Sequence, residues 1–169
     1  MASGGWERMS SGVICYLVWQ EGVGESAQIF ANYINAAGQL PWGAPVALKI
    51  SDFEARNPIV RSGLNGGAVF AWEEGPSDVA SVDGSHIVGA AYLNVNGEKI
   101  WGNNHISLAK ESSRLILGDV LAIEGAYVFA WQNTAGRNVQ FIGIEEEAGK
   151  LYSDTPISVS SSLFSKSRP

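Results

Sequence analysis

The chain has 169 residues, of which 46% are hydrophobic and six are tryptophan, so it can bury a core and is not a disordered tail. A formal net charge of −6 argues against nucleic acid and anionic membranes as partners, because both attract clusters of Lys and Arg. Twenty glycines, a charged fraction of 17% and short apolar runs between turn residues predict an all-β protein with few helices.

The first residues carry little information about the compartment. The start, Met-Ala-Ser-Gly-Gly-Trp, lacks the basic and apolar regions of a signal peptide, and no run of about 18 apolar residues is long enough to span a membrane. An extracellular or periplasmic location is expected if the chain is excised from a secreted parent. Cys15 is the single cysteine, which excludes an intrachain disulfide, and its apolar neighbours predict a small buried side chain.

A segment of thirteen residues occurs twice, at 31–43 and 90–102, with no gap and at an offset of 59 residues. The two copies share a tyrosine, an asparagine, a glycine and a Trp-Gly pair: Tyr33/Tyr92, Asn35/Asn94, Gly38/Gly97, Trp42/Trp101 and Gly43/Gly102. An apolar run ending in tryptophan precedes each copy, and a third such run lies at 127–131. Internal repeats predict stacked units. We expect a single repeat domain with approximate units 1–52, 53–110 and 111–169.

Each unit is predicted to form a four-stranded antiparallel meander. In the second unit the strands are expected at 57–61, 68–72, 87–94 and near 99–110. Asn96-Gly97 predicts a type I′ hairpin turn between the last two, since both central residues of that turn need a positive φ. Continuous apolar runs at the second strands predict burial on both faces, whereas the third strands mix apolar residues with Asn and Gly.

The order of these features resembles a β-propeller blade of the kind repeated in bacterial extracellular proteins. The shared features are an apolar run to Trp-Glu, a polar loop, an Ile/Val-rich strand, Asn-x-x-Gly and Trp-Gly. They are clear over residues 12–110 and weaker in the third unit. There Tyr152-Ser153 replaces Trp-Gly, and one residue of slip is needed to align Gly149. The resemblance implies three propeller blades, with loops or a central channel as the place of recognition.

Three blades are too few to close a ring, because propellers have four to eight. A homodimer of two three-bladed halves forming a six-bladed ring is one solution, and a fragment of a longer propeller is the other. A β-trefoil is the alternative fold, since it also has three units and closes within one chain.

The chemistry-bearing residues give weak candidates for binding: Trp6, Glu73, Glu74, Asp83, His86 and Arg137. Trp6 has no repeat partner, whereas the other five tryptophans recur and are expected to pack between blades. Asp83 lies in the longest predicted loop. His86 and His105 stand apart without a zinc pattern, so no metal or cofactor is expected. The Glu73-Glu74 and Glu145-Glu146-Glu147 runs are expected to form a solvated acidic edge, and adjacent glutamates on a strand should point to opposite faces.

The first functional hypothesis is a non-catalytic binding or scaffold module that presents loops to a protein or glycan and closes its ring by homodimerisation. The loops expected at one end are 21–27, 73–85 and 133–138. A second hypothesis is a structural self-assembly fragment of a larger propeller. A third is a hydrolase or lyase with carboxylates around a channel, for which the innermost strands offer mainly Arg56, Arg61, Arg114 and Asp119.

Overall fold

The chain folds into three four-stranded antiparallel sheets that follow one another along the sequence. The computed structural model describes residues 5–8, 15–63, 66–76, 85–102 and 105–160, with the backbone alone for 5–8 and 160. The first sheet contains β1 (Gly5–Arg8), β2 (Cys15–Glu21), β3 (Gln28–Ile34) and β4 (Val46–Ala47). The second contains β5 (Glu54–Ser62), β6 (Ala68–Gly75), β7 (His86–Leu93) and β8 (Ile106–Glu111). The third contains β9 (Leu115–Ile123), β10 (Ala126–Asn133), β11 (Asn138–Glu145) and β12 (Ile157–Ser160).

Each sheet is a meander in which every strand pairs with its neighbour in sequence. The all-β, blade-like class predicted from the sequence is therefore confirmed. Among the described strands no ladder joins one sheet to another, so they do not close into a barrel. The β-trefoil alternative does not fit this arrangement, because a trefoil needs a barrel shared by its three units.

The sheets stack face to face in chain order. One apolar cluster lies between the first and second sheets, here called the first junction, and includes Tyr16, Val18, Phe70 and Trp72. A second cluster lies between the second and third sheets, here called the second junction, and includes Val69, Ala71, Phe129 and Trp131. Because neighbouring residues of β6 face opposite junctions, the second sheet is covered on both sides.

The first strands of the sheets approach one another along one side of the stack, since β5 contacts both β1 and β9. Arg61 of β5 donates from Nε to the carbonyl oxygen of Val120 at 3.1 Å and forms an ion pair with Asp119. Two residues that the sequence offered to a catalytic channel thus connect neighbouring sheets.

The repeated Asn-x-x-Gly residues form equivalent turns after β3 and β7. The side chain of Asn94 accepts the backbone N–H groups of Asn96 and Glu98, and Asn35 does the same for Ala37 and Gln39. Gly97 has a φ of +81° and donates to the carbonyl of Asn94 at 3.0 Å. Asn96 is not among the residues with positive φ. The predicted type I′ turn is therefore wrong, and the left-handed position is held by glycine alone.

Two strand predictions in the second sheet also need correction. β7 is buried at each of its eight residues although its sequence mixes apolar residues with glycine. The two junctions cover both faces of this strand, with Ala91 and Leu93 in the first and Val88 and Ala90 in the second. At Gly89 a Cβ would lie 2.8 Å from the Trp72 ring, so the missing side chain makes room for the indole. The fourth strand begins at Ile106 rather than near Lys99, which makes only an isolated bridge to Leu93.

The third sheet has the one-residue slip that the sequence predicts. In the second sheet the turn closes with Asn94 N donating to the Glu98 carbonyl, whereas in the third Glu145 N donates to Lys150. The Gly149 N–H donates to the carbonyl of Glu145 within this longer turn. The isolated bridges Leu93–Lys99 and Ile144–Leu151 then place Ser153 at the position of Trp101. The predicted replacement of Trp-Gly by Tyr152-Ser153 is therefore wrong by one residue.

Helical structure in the described residues is limited to a 3-10 turn at Gly24–Ser26. In this part of the chain no helix has the length and apolar character needed to cross a bilayer.

Candidate functional site: the two junctions and the two end faces

The Trp-Gly segment of each of the first two sheets reaches across to the turn of the next sheet. Trp42 donates from Nε1 to the carbonyl of Val95 at 2.9 Å, and Trp101 donates to the carbonyl of Glu146 at 2.7 Å. Val95 and Glu146 each follow the residue that opens the turn after the third strand. The repeated tryptophan is thus an inter-sheet contact, as predicted for Trp42 and Trp101.

The turn glycine is the surface on which that tryptophan rests. A Cβ at Gly97 would lie 3.0 Å from the ring of Trp42, and one at Gly149 would lie 2.6 Å from the ring of Trp101. A side chain at either glycine would therefore displace the indole. At Gly38, in the first sheet, the same construction meets nothing within 4 Å, because no described sheet packs on that side of it.

Glu74 is the main polar element of the first junction. Its carboxylate is fully buried and accepts the backbone N–H groups of Ile50 and Ser51 at 2.6 and 2.7 Å. The Ser51 hydroxyl and the Trp72 indole, the latter at 2.7 Å, also donate to it. Residues 50 and 51 belong to the segment that leaves the first sheet. The carboxylate therefore fastens that segment to the second sheet, and hydrogen bonds offset the cost of its burial.

Glu73 lies on the other face of β6 and connects the second sheet to the third. It is 1% exposed and accepts the backbone N–H of Leu117, in the first strand of the third sheet, at 2.8 Å. Asn57 donates to the same oxygen at 3.0 Å, and Arg56 contributes an ion pair at 3.3 Å. Asn57 has a φ of +51° and lies where the pairing of β5 with β6 shifts register.

The expectation that Glu73 and Glu74 form a solvated acidic edge is wrong, since both are buried. Their opposite orientations are confirmed by their different partner sheets. The sequence contained one usable signal for the burial of Glu74 and none for that of Glu73. Each of the first two units has Trp-x-Glu at the end of its second strand, and the indole N–H needs an acceptor when it is buried.

Glu146 differs from its two neighbours in the Glu145-Glu146-Glu147 run. It is 4% exposed, whereas Glu145 and Glu147 are exposed. Its carboxylate accepts the hydroxyl of Tyr127 at 2.9 Å and that of Tyr92 at 3.4 Å. Burial together with the nearby carboxylate raises the pKa of both tyrosines. A cavity of about 210 Å³ lies beside this cluster and is lined by Tyr92, Asn94, Ile100, Glu146 and Glu147.

Aromatic rings fill both junctions next to these polar contacts. In the first junction Tyr16 packs against Tyr33, Trp42 and Phe70 with centroid separations of 5.7, 6.1 and 6.2 Å. Burial raises the pKa of Tyr16 to about 12, and its hydroxyl donates to the carbonyl of Gly66. In the second junction Trp101 takes the place of Trp42 and lies 5.8 Å from Tyr92.

The outer face of the first sheet is here called the first end face. Its side chains occupy positions equivalent to those that the second sheet buries in the first junction. Cys15, Leu17 and Trp19 hold the first, third and fifth positions of β2, where β6 has Ala68, Phe70 and Trp72. Trp19 stacks on Phe30 at 6.0 Å, and its Nε1 donates to Glu21 at 2.6 Å, as Trp72 does to Glu74. Trp19 and Cys15 are nevertheless half-exposed, so the predicted packing of Trp19 between sheets and burial of Cys15 are wrong within one chain.

The outer face of the third sheet, here called the last end face, is also apolar. Phe141 and Val139 alternate with the buried Gln140 and Ile142, and they pair in register with Ile157 and Val159 of β12. Ile157 and Val159 are each 55% exposed. Tyr152, 65% exposed, lies over Gly143, where a Cβ would be 2.6 Å from its ring. Leu121 and Val128 belong to the same face as Val139 and Phe141, and all four are exposed or half-buried.

The remaining candidates from the sequence lie apart from one another. Trp6 is in β1, in register with Leu17. Arg137 is exposed in the turn between β10 and β11, with a φ of +47°. Asp83 lies outside the described residues. His86 is 6% exposed at the start of β7, and its Nδ1 has no hydrogen-bond partner among the described residues.

Both histidines have lowered pKa values for the same physical reason. Burial lowers the pKa of His86, and the charges of Arg56 and Arg114 add to the effect. His105 lies edge-on to Trp72 at 5.3 Å, and burial together with Lys99 lowers its pKa to about 4. Neither histidine is charged at neutral pH.

In the described part of the chain, no group of three or more His, Cys, Asp and Glu side chains is arranged to hold a metal ion. No protein-family model matches the sequence, and no significant match was found among curated proteins or solved structures.

Proposed function

We propose that this protein is a non-catalytic binding or scaffold module of the β-propeller type, in which two copies pair to close a ring of six sheets. The observation that carries the proposal is the composition of the two end faces. They present rows of apolar side chains of the kind that the two internal junctions cover. Large apolar faces of this kind are typical of interaction surfaces.

A ring is the arrangement that covers both end faces at once. If the last end face of one copy packs on the first end face of another, a twofold axis repeats the contact and leaves no face open. The approach of β5 to β1 and β9 supports this geometry, because the first strands of propeller blades surround the axis.

The loops between second and third strands are the proposed recognition surface. They connect β2 to β3, β6 to β7 and β10 to β11, which are equivalent strands of the three sheets. Residues 77–84 of the second loop lie outside the described part of the chain. Recognition usually resides in loops carried by a rigid frame. A glycan or a protein segment is the proposed ligand.

The catalytic alternative is disfavoured by the bonding of its best acid candidates. Glu73 and Glu74 accept backbone N–H groups from neighbouring segments, and Glu146 accepts two tyrosine hydroxyls. Carboxylates held in this way stabilise the stack of sheets and are not positioned for proton transfer to a substrate.

Light scattering coupled to size exclusion tests the ring. We expect twice the 18.0 kDa of one chain for the wild type. Val159→Asp in the last end face should give the single-chain mass, because a charge cannot be buried in an apolar contact. Val23→Asp is the matched control, since Val23 is 81% exposed in a loop.

Circular dichroism should show that both variants remain folded, which separates loss of pairing from loss of structure. A wild type that stays a single chain at all accessible concentrations contradicts the ring. Binding of the paired protein to a glycan or peptide array then tests the recognition surface, with Arg137→Ala as the loop variant.

A further inference from the structure

The first end face contains an acceptor whose partner can be identified from the internal junctions. The relevant position is two residues after the tryptophan that closes the second strand. It is occupied by Glu21, Glu74 and Asn133 in the three sheets. At the two covered junctions this residue bonds to the segment that leaves the fourth strand of the preceding sheet.

At the first junction the acceptor is Glu74, and the donors are the backbone N–H groups of Ile50 and Ser51 with the Ser51 hydroxyl. At the second junction Asn133 accepts the hydroxyl of Ser113 at 3.0 Å and donates to Glu111 at 2.9 Å. Glu111 is the last residue of β8 and Ser113 follows it, as residues 50 and 51 follow β4. The same contact is thus made twice with different chemistry.

Glu21 has the side-chain arrangement of Glu74 but not its cover. The Trp19 indole N–H holds one carboxylate oxygen of Glu21 at 2.6 Å, against 2.7 Å for Trp72 and Glu74. Glu74 is fully buried, whereas Glu21 is exposed. The carboxylate is therefore already oriented for backbone donors that one chain does not bring to it.

Building on the proposed ring, we propose that Glu21 accepts the backbone N–H groups of the segment following β12 of a second copy. That segment leaves the fourth strand of the third sheet, as residues 50 and 51 leave that of the first. It begins with Ser161-Ser162, which supplies two consecutive backbone donors and hydroxyls of the kind that Ser51 supplies. Residues 161 and 162 lie outside the described part of the chain.

The proposed partner is a second copy of this chain, because the last end face and the segment after β12 both belong to the third sheet. The internal junctions combine an apolar contact between sheet faces with the polar contact at the Trp-x-Glu or Trp-x-Asn position. Val139, Phe141 and Val159 provide the apolar part, and the serines after β12 provide the polar part. Burial of Glu21 without such donors would be unfavourable, which selects a partner that carries them.

The test compares Glu21→Ala with Glu25→Ala, an exposed glutamate in the adjacent 3-10 turn. The dimer dissociation constant is measured by analytical ultracentrifugation. We expect roughly a 100-fold weakening for Glu21→Ala and no change for Glu25→Ala, because several donors lose their acceptor. Glu21→Gln keeps one carbonyl oxygen and should give roughly a 10-fold weakening.

Cys15 provides an independent readout, because it occupies the position of the fully buried Ala68. In the dimer its thiol should react slowly with N-ethylmaleimide, and in dissociated Glu21→Ala it should react quickly. Replacing Ser161 and Ser162 by proline removes two N–H groups, and its effect should not add to that of Glu21→Ala.

The possible failures are distinguishable. A wild-type protein that remains a single chain overturns both the ring and the Glu21 contact. A wild-type dimer in which Cys15 reacts at the monomer rate, or in which Glu21→Ala has no effect, overturns the Glu21 contact and leaves self-association standing.

Discussion

The first and second junctions join equivalent surfaces with unequal chemistry. Both have a tryptophan that donates to a carbonyl in the next turn, Trp42 to Val95 and Trp101 to Glu146. At the other end of the sheets, however, the first junction uses the carboxylate of Glu74 and the second uses the amide of Asn133. The comparison shows that the indole contact belongs to the common frame, whereas the polar group at the end of the second strand is replaceable.

The two junctions also differ in how far their tryptophans are covered. Trp101 is 8% exposed and surrounded by Tyr92, Tyr127 and Phe129, while Trp42 is half-buried. The turn of the third sheet is one residue longer, which brings Gly149 closer to its indole than Gly97 is to Trp42. The second junction therefore covers its tryptophan more completely, and it also holds the buried carboxylates of Glu73 and Glu146. At the end of the second strand, however, only the first junction has a charge, that of Glu74.

The largest effect is expected when that charge is removed. Glu74→Ala leaves two backbone N–H groups, a hydroxyl and an indole N–H without their acceptor, and should lower the free energy of unfolding by about 3–5 kcal/mol. Asn133→Ala should cost about 1–3 kcal/mol, since an amide is easier to replace. Urea denaturation of both variants measures the difference, with the exposed Glu147→Ala as control. Equal losses for Glu74→Ala and Asn133→Ala would contradict the comparison.

A smaller effect should separate the turn glycines. Gly38 and Gly149 have φ values of +76° and +62°, so alanine at either position costs about 1–2 kcal/mol in backbone energy. At Gly149 the new methyl group also meets Trp101, which should add about 1–3 kcal/mol, whereas at Gly38 it meets nothing within 4 Å.

Thermal unfolding of Gly38→Ala and Gly149→Ala provides the measurement, and near-UV circular dichroism reports the displaced indole. If Gly38→Ala destabilises the protein as much as Gly149→Ala, the indole does not rest on the turn glycine as described.

The smallest effect concerns pH at the first junction. His105 has a folded pKa of about 4 against 6.5 for the free side chain, so the unfolded chain binds more protons between these values. The stability associated with neutral His105 is complete above pH 6.5 and is lost as the pH falls towards 4. His105→Gln should therefore flatten the decrease in melting temperature between pH 6.5 and 5. An unchanged slope would show that other groups cause it, and His86→Gln tests the second junction in the same way.

The order of the strands was predictable because their signals are local. Apolar runs, Asn-x-x-Gly turns and Trp-Gly pairs located the strands of the second sheet to within a few residues, apart from the start of β8, and the slip near Gly149 was readable from the sequence. Local signals failed where another sheet supplies the environment. The burial of β7 depends on both neighbouring sheets, because Ala91 and Leu93 lie in the first junction and Val88, Ala90 and Tyr92 in the second, and nothing in the 86–93 sequence alone indicates those neighbours.

The site was less predictable than the fold, and Glu73 and Glu74 show why. Two adjacent acids normally indicate solvent. Here each carboxylate faces a different neighbouring sheet, and its donors are backbone groups of Leu117 and Ile50, which lie 44 and 24 residues away in the sequence. Backbone donors leave no trace in side-chain identity, so no pattern in the sequence reports them.

The complete burial of β6 and β7 has a consequence for how this chain can change over time. A strand with one solvent face can accept polar substitutions at every second residue, but these two strands have no such face. A substitution in β6 or β7 changes the packing against one neighbouring sheet, while the next residue along the strand still has to pack against the other neighbouring sheet. The second sheet is therefore expected to be the slowest part of the chain to diverge, and the outer sheets the places where new surface properties first arise.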